Sequence, residues 1–164
     1  MGAALQDRLG GHAKQRLRLW LRLLTCSSVV ERRIAARFRE DFDTTLPRFD
    51  MLAALERAGP AGLRLGEVSR LLMVTDGNVT GLAKALRAEG LIETVPTADR
   101  REQRVRLSAA GAARFKAMAA AHETWIEAQF DGLSDAETDQ LLGLLDRAKA
   151  SIQAAETSIG GARP

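Results

Sequence analysis

The chain has 164 residues, enough for one compact unit of ordinary domain size with accessory helices. Apolar residues make up 46% of it but aromatics only 4%, with no Tyr, so Leu and Ala must build the core and packed helices are favoured over a sheet sandwich. The net charge of +3 is mild for a polyanion binder, and a single cysteine, Cys26, excludes an internal disulfide framework and a cysteine-based metal site.

The charge is uneven. Residues 1–40 hold nine Lys or Arg against three acids, while residues 120–164 hold three against eight, a separation that provides a basic face able to meet phosphate. Lys14, Lys84, Lys116 and Lys149 are the only lysines, and the other twenty bases are arginine. That bias suits bidentate phosphate or base contacts, although a GC-rich genome produces the same composition. One cysteine fits a reducing, cytoplasmic setting. Leu17–Val30 is apolar but interrupted by Arg18 and Arg22, with no small-residue cleavage site after it, and no stretch reaches the roughly 18 apolar residues of a membrane span.

In chain order, residues 1–13 carry Gly2, Gly10 and Gly11 without an apolar period and are expected to form a flexible arm. A long helix should begin near Lys14 and run to about residue 43, with Leu17, Trp20, Leu21, Leu24, Val30, Ile34 and Phe38 at three- and four-residue steps. Thr45 and Pro47 mark a second helix start, with Phe49, Leu52, Ala53 and Leu55 as its buried side. Gly59-Pro60-Ala61-Gly62 breaks the chain, Leu63-Arg64-Leu65 reads as a very short strand, and Gly66–Leu72 as a third helix burying Val68, Leu71 and Leu72. Thr75 can cap a fourth helix with Val79, Leu82, Ala83 and Leu86 inside, closed by Gly90.

Leu91–Val95 and Gln103–Leu107 read as paired strands joined by a loop from Pro96 to Glu102. A fifth helix follows Ser108 through Phe115, Met118, His122, Trp125, Ile126 and Phe130. Ser134 with Glu137 forms a capping-box pattern ahead of a sixth helix containing Leu141, Leu142, Leu145, Ala148 and Ile152. Residues 156–164 are expected to be a loose tail.

The fold expected from these elements is mostly α: a winged helix-turn-helix over residues 44–108, framed by helices over 14–43 and 109–155. A recognition helix needs short hydrogen-bonding residues at its leading turn, which Thr75, Asp76, Gly77, Asn78, Thr80 and Gly81 provide, with Lys84 one turn on within reach of a phosphate. Asp99, Arg100 and Arg101 lie at the hairpin tip, where no core requires them and where arginine suits the negative potential of a minor groove. Each feature alone also fits an exposed helix start or a solvated loop; the combination points to double-stranded DNA.

The run Leu82–Gly90, then Leu91-Ile92-Glu93, Asp99-Arg100-Arg101, Val105-Arg106-Leu107-Ser108 and Gly111, resembles the MarR family of bacterial transcriptional regulators over about residues 14–153. The resemblance implies six helices with the wing between the fourth and fifth, and a homodimer formed by the first and last helices. Leu17, Leu21, Leu141, Leu142, Leu145 and Ile152 are the candidates for that seam, and each also suits an intramolecular core. The chain departs from the family at Lys84-Ala85, where members often carry an acid–base pair, and at Gly81, where many have arginine. The phrases Thr44–Asp50 and Met73–Leu82 resemble a narrower branch linked to aromatic-acid catabolism.

The function these features imply is a ligand-responsive homodimeric regulator, a repressor, bound to a palindromic operator and released by a small aromatic acid or its coenzyme A thioester. Pocket candidates are Trp20, Phe49, His122 and Trp125, with Arg16 and Arg18 for a carboxylate or phosphate; each aromatic also suits plain core. Two alternatives stand beside it: a redox regulator acting through Cys26, although a chain without Tyr lacks the tyrosine partners of peroxide-sensing relatives, and a winged-helix module serving only protein contacts. With two His, one Cys, no glycine-rich phosphate loop and no carboxylate pair in a credible pocket, neither an enzyme nor a bound cofactor or metal is expected.

Overall fold

The computed structural model describes the backbone of residues 2–96 and 104–160 and the side chains of residues 11–96 and 104–155. Six helices and three short strands follow in the order α1 (Gly2–Phe42), α2 (Leu46–Ala58), a 3-10 turn (Gly59–Ala61), β1 (Leu63–Arg64), α3 (Leu65–Leu72), α4 (Asp76–Ala88), β2 (Ile92–Val95), β3 (Arg104–Leu107), α5 (Ala109–Phe130) and α6 (Asp135–Gly160). The chain divides into two compact units, Met1–Trp125 and Ile126–Pro164.

In the first unit the core is built where five helices and the sheet meet. Ile34 and Phe38 enter from α1, Met51, Leu52 and Leu55 from α2, Val68 from α3, Val79, Ala83 and Leu86 from α4, Ile92 and Val105 from the sheet, and Met118 from α5. Burying one such side chain contributes about 1.5–3 kcal/mol. Central α2 also buries Met51 and Ala54, outside the single face expected from spacing, and leaves Ala53 half-buried. It is covered from several sides, so a one-face periodicity does not describe it.

The sheet order is β1-β3-β2, all antiparallel, with Ile92 opposite Leu107 and Val95 opposite Arg104. Gly62, at φ 62°, lets β1 approach β3: a Cβ there would lie 2.4 Å from the Val105 carbonyl oxygen. Gly90, at φ 70°, follows the last turn of α4 in the left-handed conformation expected of it.

Three expectations change. The helix begins at Gly2 rather than Lys14, because Ala3, Ala4, Leu5 and Gln6 are strong helix formers that offset the roughly 1 kcal/mol cost of each of Gly10 and Gly11 once the helix is propagating. The helix α6 continues past Ala155 to Gly160 because extending a formed helix fixes one residue per added hydrogen bond. Leu71 is 60% exposed rather than buried, its place on the inner side of α3 taken by Ser69, whose hydroxyl donates to the Gly66 carbonyl at 3.1 Å.

In the second unit, Ser134 and Glu137 form the expected capping box: the Ser134 N–H donates to Glu137 Oε2 at 2.9 Å and the Glu137 N–H to Ser134 Oγ at 3.4 Å. The Ser134 hydroxyl, which donates to Glu137 Oε2 at 2.7 Å, and then the Ser134 N–H hold the Glu137 carboxyl below its ordinary pKa. Along α6, Leu141, Leu142, Leu144, Leu145 and Ile152 are exposed, as are Leu17, Leu19, Trp20, Leu21 and Leu24 of α1 in the first unit. No helix among the described residues is long and apolar enough to cross a membrane.

Candidate nucleic-acid interface

The turn between α3 and α4 is fixed by its backbone. Met73 sits in the left-handed conformation at φ 53° and ψ 39°, and both its N–H and that of Val74 donate to the Ser69 carbonyl. Thr75 then leaves in an extended conformation and caps α4, its Oγ1 accepting from the Asn78 N–H at 3.4 Å. Beneath, Val79, Ala83 and Leu86 are buried and lock the helix to the core.

Everything named on the leading surface of α4 is exposed: Thr75, Asp76, Gly77, Asn78, Thr80, Gly81 and Lys84. The Thr80 hydroxyl donates to the Asp76 carbonyl at 2.8 Å, so its proton is already used and its methyl is left for apolar contact. Asp76 stands in the first turn of the helix and can accept from a base amino group. A Cβ on Gly77 or Gly81 would meet nothing within 4 Å, so the surface there is open for a backbone to be approached closely.

The hairpin beside this helix is anchored at its base. Arg104 Nη1 donates to the Gly62 carbonyl at 3.1 Å and lies 3.8 Å from Glu67 Oε2, while that same Glu67 oxygen accepts from the Arg64 N–H at 2.7 Å. The Arg64 N–H, followed by the charges of Arg104, Arg64 and Arg70, holds the Glu67 carboxyl below its ordinary pKa. Across the strands, Arg106 Nε donates to Glu93 Oε1 at 2.7 Å between directly opposed residues. On the far side, Arg48 at the start of α2 is paired with Glu89 at the end of α4. Asp99, Arg100 and Arg101 lie outside the described residues.

Two of these tethers do not follow from spacing in the sequence. Glu67 and Arg104 are 37 positions apart, and Arg48 and Glu89 are 41 apart, so only the fold brings them together.

The sequence profile of the MarR family matches residues 42–102, from the end of α1 to the hairpin. A MarR family transcriptional regulator from Silicibacter pomeroyi superposes with a TM-score of 0.72 at 28% identity, over 86% of this chain and 97% of that one. Over residues 42–102 the chain is thus similar to the MarR family. The transcriptional activatory protein BadR of Rhodopseudomonas palustris is 34% identical over 91 residues, covering 55% of this chain, which spans about half (50%) of that relative's length. The fold is also that of the Staphylococcus aureus MepR–DNA complex, with a TM-score of 0.67 at 20% identity over 79% of this chain and 93% of that one.

The pocket residues foreseen for this chain separate into two groups. Phe49, His122 and Trp125 meet around Phe38, with ring centroids 4.6, 5.7 and 5.1 Å from it, and Phe115 stacks on Phe49 at 5.6 Å. Trp20 does not join them. It is 18 residues from Phe38 on one helix, about 27 Å of rise, and it is exposed, as are Arg16 and Arg18 farther along. An apolar period marks a helix face but not which part of a long helix is covered. Among the described residues, no group of three His, Cys, Asp or Glu is placed to hold a metal ion.

Burial lowers the His122 pKa below its ordinary 6.5, so the folded chain favours the neutral imidazole. The unfolded chain therefore binds more protons as the pH falls through 6.5, and stability declines there. In a series of thermal melts from about pH 7 to about pH 5.5, the His122→Phe variant should lose less stability than wild type. Asp50 cannot cause that loss: burial and then Glu31 raise its pKa from 3.8, so it subtracts stability as the pH rises above that value.

Proposed function

We propose that this chain is a cytoplasmic transcriptional regulator that binds double-stranded DNA as a homodimer, inserting the leading turn of α4 into the major groove and the hairpin alongside. The observation that carries this reading is the exposed polar surface Thr75–Lys84 held over a fully buried underside, next to a hairpin tethered through Arg104. The S. pomeroyi and S. aureus likenesses support it. The exposed leucines of α1, and separately those of α6, support the homodimer, because an exposed apolar stripe along a helix marks a surface for a partner. Two α4 helices on a two-fold axis then match a palindrome with half-site centres about 10 bp apart.

The test is a gel shift on the DNA upstream of the chain's own coding region. Lys84→Ala should weaken binding to every sequence alike and lower the slope of log affinity against log salt by about 0.9 per lost phosphate contact, or about 1.8 for a dimer. Absence of binding by the wild type, or an unchanged salt slope in the variant, defeats the corresponding part of the proposal.

The effector we propose is a small aromatic acid or its coenzyme A thioester. The ring cluster of Phe38, Phe49, His122 and Trp125 supports it as an apolar wall of the right chemistry, while Arg16, Arg18 and Trp20 fall instead to the exposed stretch of α1. A ligand bound there weakens DNA binding if it prefers the spacing of recognition helices that DNA does not fit. Release of the shifted band by a panel of such acids and thioesters is the expected result. Repression is the first reading of the output, and activation the second because the R. palustris relative is named an activatory protein. Transcription in vitro from the bound promoter separates them by its sign.

A further inference from the structure

Met73 is a left-handed, non-glycine residue and is 92% exposed, the most exposed large apolar side chain among the described residues. Both properties are unfavourable alone: the left-handed backbone costs a side-chain-bearing residue about 1–2 kcal/mol, and the thioether chain rests in water. Glycine or asparagine would serve the turn better. The two N–H bonds to the Ser69 carbonyl hold Met73 in place, and neighbouring Leu71 is 60% exposed on the same turn. Met73 is two residues before Thr75, so its Cα lies within about 7 Å of the start of the polar reading surface.

We propose that Met73 is a specificity-determining residue that packs against a thymine methyl group at the edge of the base pairs facing the first turn of α4. This rests on the DNA-binding reading of α4. Thymine is the one base that shows a methyl in the major groove, and a flexible, polarizable side chain suits an apolar contact of that kind. The contact is continuous with the surface of Thr75, Asp76 and Asn78 and adds discrimination without charge, which distinguishes it from Lys84.

The experiment compares upstream DNA made with thymidine against the same DNA made with deoxyuridine, which lacks only the methyl, for the full chain and its Met73→Gly, Met73→Asn and Met73→Leu variants. Met73→Gly and Met73→Asn should melt no lower than wild type, since both tolerate the left-handed backbone. They should nevertheless bind thymidine DNA about four-fold more weakly per half-site and lose most of the wild type's preference for it over deoxyuridine DNA. Met73→Leu should keep that preference. The inference is overturned if the preference is equal in wild type and Met73→Gly, or if both variants bind thymidine DNA as tightly as wild type. Failure of wild type to bind either DNA removes the reading of α4 itself and this contact with it.

Discussion

Phe38→Ala is expected to lower unfolding free energy by about 3–5 kcal/mol, a large share of the 5–15 kcal/mol that holds an ordinary domain together. The side chain is fully buried and meets the rings of Phe42, Phe49, His122 and Trp125, so one residue joins α1, α2 and α5. Deleting the ring removes its transfer free energy and its aromatic geometry and leaves a void whose walls are themselves anchored. Urea denaturation should show the midpoint falling with little change in slope, and Phe38→Leu should recover part of the loss. A loss below about 1 kcal/mol would mean that the cluster collapses around the gap and does not join the three helices as described.

Gly111→Ala should be the more disruptive change for its size. A Cβ there would stand 1.8 Å from the Leu91 carbonyl oxygen and 2.8 Å from its carbon, both backbone atoms with no rotamer to escape into. The same carbonyl accepts from the Ser108 N–H at 3.1 Å, while Ser108 Oγ accepts from the Gly111 N–H at 3.0 Å and donates to the Gly90 carbonyl at 2.6 Å. The start of α5 is thus tied to the end of α4 and the start of β2 through one crowded crossing. Adding a methyl must move the segment that sets the hairpin beside α4, so the cost should reach or exceed the usual 1–3 kcal/mol of overpacking. Operator affinity should fall with it. Gly77→Ala is the internal contrast: nothing lies within 4 Å of its Cβ and the site is helical, so thermal stability should rise by several tenths of a kcal/mol. If the two alanines shifted the melting temperature alike, the close approach at Gly111 would be refuted.

Gly111 also shows how much a sequence carries. Its place after Leu107 and Ser108 is part of the resemblance to the MarR family, but why glycine stands there became clear only with the Leu91 carbonyl beside it. The reading of α4 as an exposed polar helix with Val79, Ala83 and Leu86 inside needed nothing beyond local periodicity and a Thr75 cap, and the structure agrees at each of these residues. Leu71 and Met73 were misjudged or passed over for one reason. Hydrophobicity signals a tendency to be buried, whereas burial depends on what lies opposite.

Local order was therefore determined by the amino-acid sequence itself: the helix starts and stops between the end of α1 and the start of α6, the paired strands, the uneven charge and the small polar turn at the head of α4. Caps, breakers and periodicity act over a few residues, so they can be read along the chain. Tertiary structure alone decided that the apolar stripe of α1 is buried at Ile34 and Phe38 but exposed from Leu17 to Leu24, and so separated Trp20 from the ring cluster. It also decided that Arg104 reaches Glu67 and Gly62 and that Arg48 reaches Glu89. Those outcomes depend on contacts between residues far apart in the chain, which no local pattern encodes.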